Sequence, residues 1–161
     1  MIRITLLILL LPLYASAQFV TPVASPPASS TVEAGYTHLT VAYHRPSVRG
    51  RVIFGKLLPW GKVWRAGANA NTLLTFDGPI TIGDTPVNAG TYSLYLTPEK
   101  DGDWAWSINL DTTNGSERDY NQNRNVVWHK APATRLPERI ESLEYRWMNV
   151  APQSADLVLE W

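Results

Sequence analysis

The fold is decided by residues 92–110, which read YSLYLTPEKDGDWAWSINL. Apolar side chains recur at every second position at Tyr92, Leu94 and Leu96, and positions 104–110 repeat this alternation. The Lys-Asp-Gly sequence at positions 100–102, between the two runs, is typical of a tight turn. This stretch therefore predicts a β-hairpin.

Short runs of the same kind lie on both sides of this hairpin. They predict strands over residues 38–43, 72–76, 126–129, 143–147 and 156–160, and a second hairpin over residues 80–87. No stretch keeps the apolar spacing of an amphipathic helix over three turns. We therefore expect an all-β fold, a single-domain antiparallel β-sandwich of the jelly-roll kind, with a small barrel as the second choice.

The N-terminus has the pattern of an export signal. Arg3 precedes an apolar run over residues 4–14, and Ala-Ser-Ala follows at positions 15–17. We predict a signal peptide over residues 1–17, an extended Pro/Ser-rich leader over residues 18–30, and a β-sandwich domain over residues 31–161. The expected location is periplasmic or extracellular, with no membrane span after signal cleavage, because the apolar run is short for a spanning helix.

Composition excludes several classes of protein. The 161 residues contain no cysteine, which excludes a disulfide scaffold and a cysteine zinc site. The 14 basic and 14 acidic residues exclude a polybasic arm, so we expect no nucleic-acid partner. The three histidines, His38, His44 and His129, lack the spacing of a metal motif, and neither a metal nor another cofactor is predicted.

Charge is distributed unevenly along the chain. Residues 34–76 contain six basic and no acidic side chains, whereas residues 77–161 contain 13 acidic and seven basic ones. Two interpretations stay open. The two halves neutralise one another across the surface of one domain, or several guanidinium groups converge on a site for a carboxylate, phosphate or sulfate.

The side chains that suit such a site lie in residues 45–71. Arginine and lysine would bind an anionic group, tryptophan would pack on the apolar face of a sugar, and asparagine would donate hydrogen bonds. Each residue type also has a structural interpretation: arginines bond loop carbonyls or acids of later strands, tryptophans anchor the core, and asparagines complete turns. The candidate ligand-binding residues are Arg45, Arg49, Arg51, Trp60, Lys62, Trp64, Arg65, Asn69 and Asn71.

Three blocks of the sequence resemble a bacterial family. Residues 45–55 (RPSVRGRVIFG), 59–69 (PWGKVWRAGAN) and 89–94 (AGTYSL) resemble the signature blocks of domain of unknown function 2911, a family of exported proteins. Arg49, Trp60 and Ala66 stand where relatives commonly have Lys, Tyr and Thr. The resemblance covers about residues 25–161 and implies export and a compact β domain, but it transfers no catalytic residue.

Three classes of function remain after this reasoning. The favoured one is a small exported module that binds an anionic or saccharide ligand through residues 45–71. The second is an uncharacterised hydrolase that uses the same cleft, with His44 as its base. The third is an envelope structural or protein-interaction module whose basic segment docks onto a protein partner.

Overall fold

The computed structural model describes residues 21–113 and 116–161, so the predicted signal peptide lies outside the described residues. Within them the chain is all-β, with ten strands and two short 3₁₀ turns, Glu117–Asp119 and Gln122–Arg124. The strands are β1 (Pro27–Ala34), β2 (Thr37–His44), β3 (Thr72–Phe76), β4 (Ile80–Ile82), β5 (Thr85–Val87), β6 (Gly90–Thr97), β7 (Trp104–Asn109), β8 (Asn125–Ala131), β9 (Glu144–Ala151) and β10 (Ser154–Glu160).

Six strands form one antiparallel sheet in the order β1-β2-β3-β6-β7-β8. Strands β9 and β10 form a separate two-stranded sheet, and β4 and β5 form a small hairpin. The large sheet is open in the described part of the chain, with β1 and β8 at its edges, so the barrel considered second is not formed. The predicted all-β antiparallel fold is confirmed, and its two layers are sandwich-like and of unequal size.

The core lies between the inner face of the large sheet and the β9–β10 layer. Cross-strand register aligns Val41 with Leu74 and Leu74 with Tyr92, which makes one continuous apolar surface. From the other layer, Tyr145 packs edge-on against Tyr43, with ring centroids 4.8 Å apart. Burial raises the pKa of the Tyr145 hydroxyl well above its usual range. It therefore stays protonated and donates to a buried main-chain carbonyl at 2.7 Å.

The β9–β10 layer is joined to the β1–β2 hairpin at both ends. At one end the Gly35 N–H donates to the Pro152 carbonyl at 2.7 Å. At the other end the Leu143 N–H donates to the Pro46 carbonyl at 3.0 Å. Since β1 runs towards Gly35 and β9 runs towards Pro152, the two strands run in the same direction.

Strand β1 takes in the last four residues of the stretch predicted as a leader. It pairs with β2 over its whole length, from Pro27 opposite His44 to Ala34 opposite Thr37. Its sequence, PASSTVEA, gives a weak apolar signal because small side chains occupy half of its positions. Exposed and half-buried residues nevertheless alternate along it, as on an ordinary edge strand.

Candidate functional site

The loop that follows β2 carries the predicted site and folds through several left-handed turns. Gly50, Gly55 and Gly61 have positive φ angles, which glycine adopts without steric cost. Arg49 is also left-handed, at φ +49°, and its N–H donates to the Glu141 carboxylate at 2.9 Å. The conformation of this loop is therefore determined by its left-handed residues, together with the Glu141 carboxylate from the second half of the sequence.

Three arginines of the loop bond main-chain carbonyls. Arg45 Nε donates to the Leu143 carbonyl at 3.1 Å, and its Nη2 pairs with Glu144 at 3.2 Å. Arg49 Nη2 donates to the Ala24 carbonyl at 3.2 Å. Arg51 donates from Nε and Nη2 to two carbonyls of its own loop, at 3.0 and 2.6 Å. These contacts match the structural interpretation of the arginines.

Arg65 lies with a different part of the chain. Its Nη1 donates to Glu117 Oε2 at 2.9 Å, and its side chain is mostly buried. The four predicted arginines thus contact separate segments, near positions 24, 47–48, 117 and 143–144. Two of them pair with acids of the second half, which partly neutralises the basic first half.

The exposed part of the predicted site is an apolar surface around Trp60. Val52 is 64% exposed, Leu57 45% and Trp60 37%. We call these three residues the Trp60 surface. The Trp60 ring stacks on Phe54, with centroids 6.4 Å apart, and it covers Gly55 so closely that no Cβ would fit there. A half-exposed indole held in one orientation is thereby presented to solvent.

A shallow cavity of about 250 Å³ adjoins this surface. Its wall is mainly apolar, with one basic and one acidic side chain. It is lined by Leu57, Leu58, Pro59, Lys62, Val63, Trp64 and Glu117. Lys62 is exposed, whereas Trp64 is buried, stacks on Trp161 at 5.7 Å and donates to the Gly67 carbonyl at 2.9 Å. Trp64 therefore forms part of the wall, and Trp60 is the one of the two predicted tryptophans that is exposed to solvent.

The two predicted asparagines make hydrogen bonds within the protein. Asn69 is left-handed at φ +60° and donates to the Ser25 carbonyl at 3.2 Å. Asn71 is buried and donates from Nδ2 to Ser93 Oγ at 2.8 Å. The Tyr95 hydroxyl is buried next to the Asn71 side chain. Burial also raises the pKa of Tyr95, so this polar cluster stays uncharged beneath the surface.

A second, larger opening lies between the two layers and contains Arg45. Its volume is about 490 Å³, and its walls are residues 28–32 of β1 and residues 144–147 of β9, with Tyr43, Arg45 and Val150. We call it the β1–β9 groove. Sequence reasoning missed this groove because β1 itself was not predicted. Its only predicted site residue is Arg45.

A histidine–carboxylate pair was also missed. Asp77 accepts hydrogen bonds from the His38 main-chain N–H at 2.7 Å and bonds the His38 ring Nδ1 at 2.6 Å. These bonds lower the pKa of Asp77. The only signal in the sequence is that Asp77 follows a predicted strand directly. His44, the base of the hydrolase hypothesis, has no side-chain hydrogen bond or ion pair to a described residue that would orient it.

Residues 21–113 and 116–161 contain no group of three or more acidic or histidine side chains placed to hold a metal ion. In the same part of the chain, no helix has the length and apolar character that crossing a bilayer requires.

The fold and the two openings define a small all-β protein whose candidate sites lie in loops and at a sheet edge. The chain belongs to the family described as "Protein of unknown function (DUF2911)", which matches residues 25–161. This match confirms the family that the sequence blocks indicated. No curated protein and no solved structure matches the chain.

Proposed function

We propose that this protein is an exported binding module that takes a saccharide with an anionic group on the Trp60 surface. The observation that carries the proposal is the exposure of Val52, Leu57 and Trp60 within one loop, of which Leu57 also lines a cavity that has Lys62 in its wall. Exposed apolar side chains concentrated in one loop are typical of interaction sites.

The chemistry of this surface suits a sugar. One face of a pyranose ring carries C–H groups, which pack on the face of an exposed indole. Lys62 supplies a flexible ammonium group for a carboxylate or sulfate of the ligand. Glu117, held by Arg65, supplies acceptor oxygens for ligand hydroxyls. The arginines predicted as an anion clamp are not part of this proposal, since their side chains make hydrogen bonds within the protein.

The test is calorimetric titration with oligosaccharides that carry uronic acid or sulfate groups, with neutral oligosaccharides for comparison. We expect Trp60→Ala to weaken binding by about tenfold or more, because truncating a tryptophan that the ligand covers commonly costs about 1.4 kcal/mol or more. Lys62→Ala should reduce the preference for the charged sugars and leave the neutral ones unaffected.

Trp128→Ala is the matched control. Trp128 is 57% exposed but lies on β8, outside the Trp60 surface, so its removal should leave binding unchanged. Equal binding by the wild type, Trp60→Ala and Trp128→Ala proteins would rule out the proposed site. Consumption of the oligosaccharide during the titration would instead support the hydrolase class.

A further inference from the structure

Two of the three residues of the Trp60 surface are aliphatic, and a free saccharide accounts for neither of them. A sugar packs its C–H face on a flat ring, which Trp60 supplies. Val52 and Leu57 are exposed but have no flat face, and sugar hydroxyls placed against them would lose hydrogen bonds to water. The two aliphatic side chains therefore indicate a ligand that has an apolar part beside its sugar.

The backbone holds these three residues on one turn. The Leu57 N–H donates to the Val52 carbonyl at 3.2 Å, and the Gly55 N–H donates to the Leu58 carbonyl at 2.8 Å. The Trp60 ring lies against Gly55. The exposed apolar residues thus belong to one hydrogen-bonded unit of the loop.

This turn is fastened to the large sheet. Trp64 and Leu96 of β6 exchange two main-chain hydrogen bonds, at 2.7 and 2.9 Å. The Phe54 ring packs edge-on against Trp104 of β7, with centroids 4.7 Å apart. The loop is therefore held in its conformation before any ligand arrives, which reduces the entropy that binding would cost.

Two lysines flank the apolar side chains. Lys56 and Lys62 are exposed, and neither makes an ion pair with a described residue. Residues 34–76 contain no acidic side chain. Tryptophan and aliphatic side chains interleaved with lysines suit the surface of an anionic bilayer, where the apolar groups reach the acyl chains and the lysines contact the head groups.

We infer that the acidic saccharide of the Trp60 surface is the head group of a membrane glycolipid. This inference rests on the proposed function, since Trp60 and Lys62 still bind the sugar and its anionic group. Val52 and Leu57 enter the boundary between the head groups and the acyl chains, and Lys56 contacts neighbouring anionic head groups. The protein then binds one surface of the bilayer.

The test measures binding to sedimented lipid vesicles. Vesicles of phosphatidylcholine alone are compared with vesicles that also contain phosphatidylglycerol, a glucosyl diacylglycerol or a glucuronosyl diacylglycerol. We expect the glucuronosyl lipid to bind at least about tenfold more tightly than the other two added lipids, because it alone has both a sugar and a charge. Phosphatidylcholine alone should not bind. The free acidic oligosaccharide is titrated in parallel.

The double variant Val52→Ser/Leu57→Ser separates the lipid from the sugar. It should weaken binding to glucuronosyl vesicles by about tenfold or more, because two aliphatic side chains no longer leave water. Its affinity for the free oligosaccharide should be unchanged, whereas Trp60→Ala should weaken both. Leu57→Ser alone gives a smaller effect of the same kind and serves if the double variant does not fold. Val150→Ser is the matched control, since Val150 is 54% exposed but lies on β9.

The charge of the bilayer is tested on both sides of the loop. The Gly61 N–H donates to the Pro98 carbonyl at 2.8 Å, which joins the loop to the base of the β6–β7 turn, where Asp101 and Asp103 follow. Lys56→Gln should weaken binding to glucuronosyl vesicles by about fivefold. Asp101→Asn/Asp103→Asn should strengthen it, because these acids repel the anionic surface. Both effects should fall in about 1 M salt.

Lipids with brominated acyl chains report the depth of the indole. Bromine quenches the emission of tryptophans that reach the acyl chains, so glucuronosyl vesicles made with such lipids should quench the wild type. The quenching should disappear in Trp60→Ala, although the exposed Trp128 of β8 is still present. Equal quenching of these two proteins would contradict insertion through the Trp60 surface.

The binding data separate this inference from the proposed function. If the free oligosaccharide binds as tightly as the glucuronosyl vesicles, and the double variant binds both like the wild type, the glycolipid is excluded and the saccharide module stands. If phosphatidylglycerol vesicles bind as well as glucuronosyl vesicles and the free oligosaccharide does not bind, both proposals fail, and the surface recognises anionic bilayers in general. Absence of binding to every vesicle overturns the inference alone.

Discussion

Gly55 holds the exposed indole of the Trp60 surface in place through its lack of a side chain. Its φ of +83° is one that L-residues rarely adopt, and the Trp60 ring occupies the volume where a Cβ would lie. The backbone turn and the position of the tryptophan are therefore coupled. A change at Gly55 would therefore act on the candidate saccharide site through the Trp60 ring, although Gly55 itself would not contact the ligand.

We predict that Gly55→Ala lowers the free energy of unfolding by about 2–3 kcal/mol, the sum of a left-handed alanine and a displaced indole. Gly102→Ala is the control. Gly102 has the same φ of +83°, but nothing lies within 4 Å of its added Cβ. Urea unfolding should show the larger loss for Gly55→Ala, and tryptophan emission should shift only in that variant. Equal losses would mean that the Trp60 packing contributes nothing.

At the scale of the elements, the sequence predicts the strands whose apolar residues alternate. Residues 92–110 form the hairpin of β6 and β7, and Ile108 reaches full burial on the inner face. Strand β1 shows the limit of this reasoning. Ala28 and Ser30 face the groove and need not be large, so the strand carries no apolar signal, and only its pairing with β2 defines it.

The His38–Asp77 pair joins β2 to the residue that follows β3, and it should make the stability of the fold depend on pH. Its hydrogen bonds lower the pKa of Asp77 below the ordinary value of 3.8. A carboxylate with a lowered pKa in the folded state stabilises the fold above its unfolded pKa, and this contribution is lost as the pH falls through the folded pKa. Glu33, 4.0 Å from the other His38 ring nitrogen, adds a second negative charge.

We therefore expect Asp77→Asn to lower the urea midpoint at pH 7. The difference from the wild type should shrink as the pH is reduced below 3.8, because only the wild type loses the ionised carboxylate. Asp101→Asn, at the exposed tip of the β6–β7 hairpin, should show no such difference. A constant difference across the acidic range would contradict the role given to Asp77.

At the scale of the whole molecule, the uneven distribution of charge along the sequence predicts one of two outcomes. Either the two halves neutralise one another, or several arginines converge on a ligand site, and the sequence does not decide between them. The acids that meet Arg65 and Arg45 lie 52 and 99 positions away in the sequence. No pattern in the neighbouring sequence identifies these acids as partners, because it is the topology of the sheets that brings them together with the arginines. The sequence therefore predicts which residue types lie in the candidate site. It does not predict which of those side chains make internal contacts and which are exposed.

A double-mutant cycle measures how strongly the two halves are joined at one such pair. Arg65→Ala, Glu117→Ala and the double variant should give a coupling of about 1 kcal/mol, the upper end for a partly exposed ion pair. The coupling should fall in about 1 M salt, where screening shortens the range of charge interactions. Arg118, next to Glu117 but exposed, serves as the control, since Arg118→Ala should not couple to Glu117→Ala. If the coupling energy of Arg65 and Glu117 equals that of the control, the ion pair does not stabilise the contact between the two halves of the sequence.

The attachment of the β9–β10 layer also bears on how the protein reaches its native state. Gly35 bonds Pro152, and Trp64 stacks on Trp161, so closing the core requires contacts between distant parts of the chain. Contacts of such long sequence separation make folding slow, because the entropy of a large loop is lost before they form. While the last strands are still being synthesised, the apolar side chains of the first hairpins have no second layer to pack against. For an exported protein of the kind proposed above, such a delay would leave the chain unfolded long enough to pass through a translocation channel.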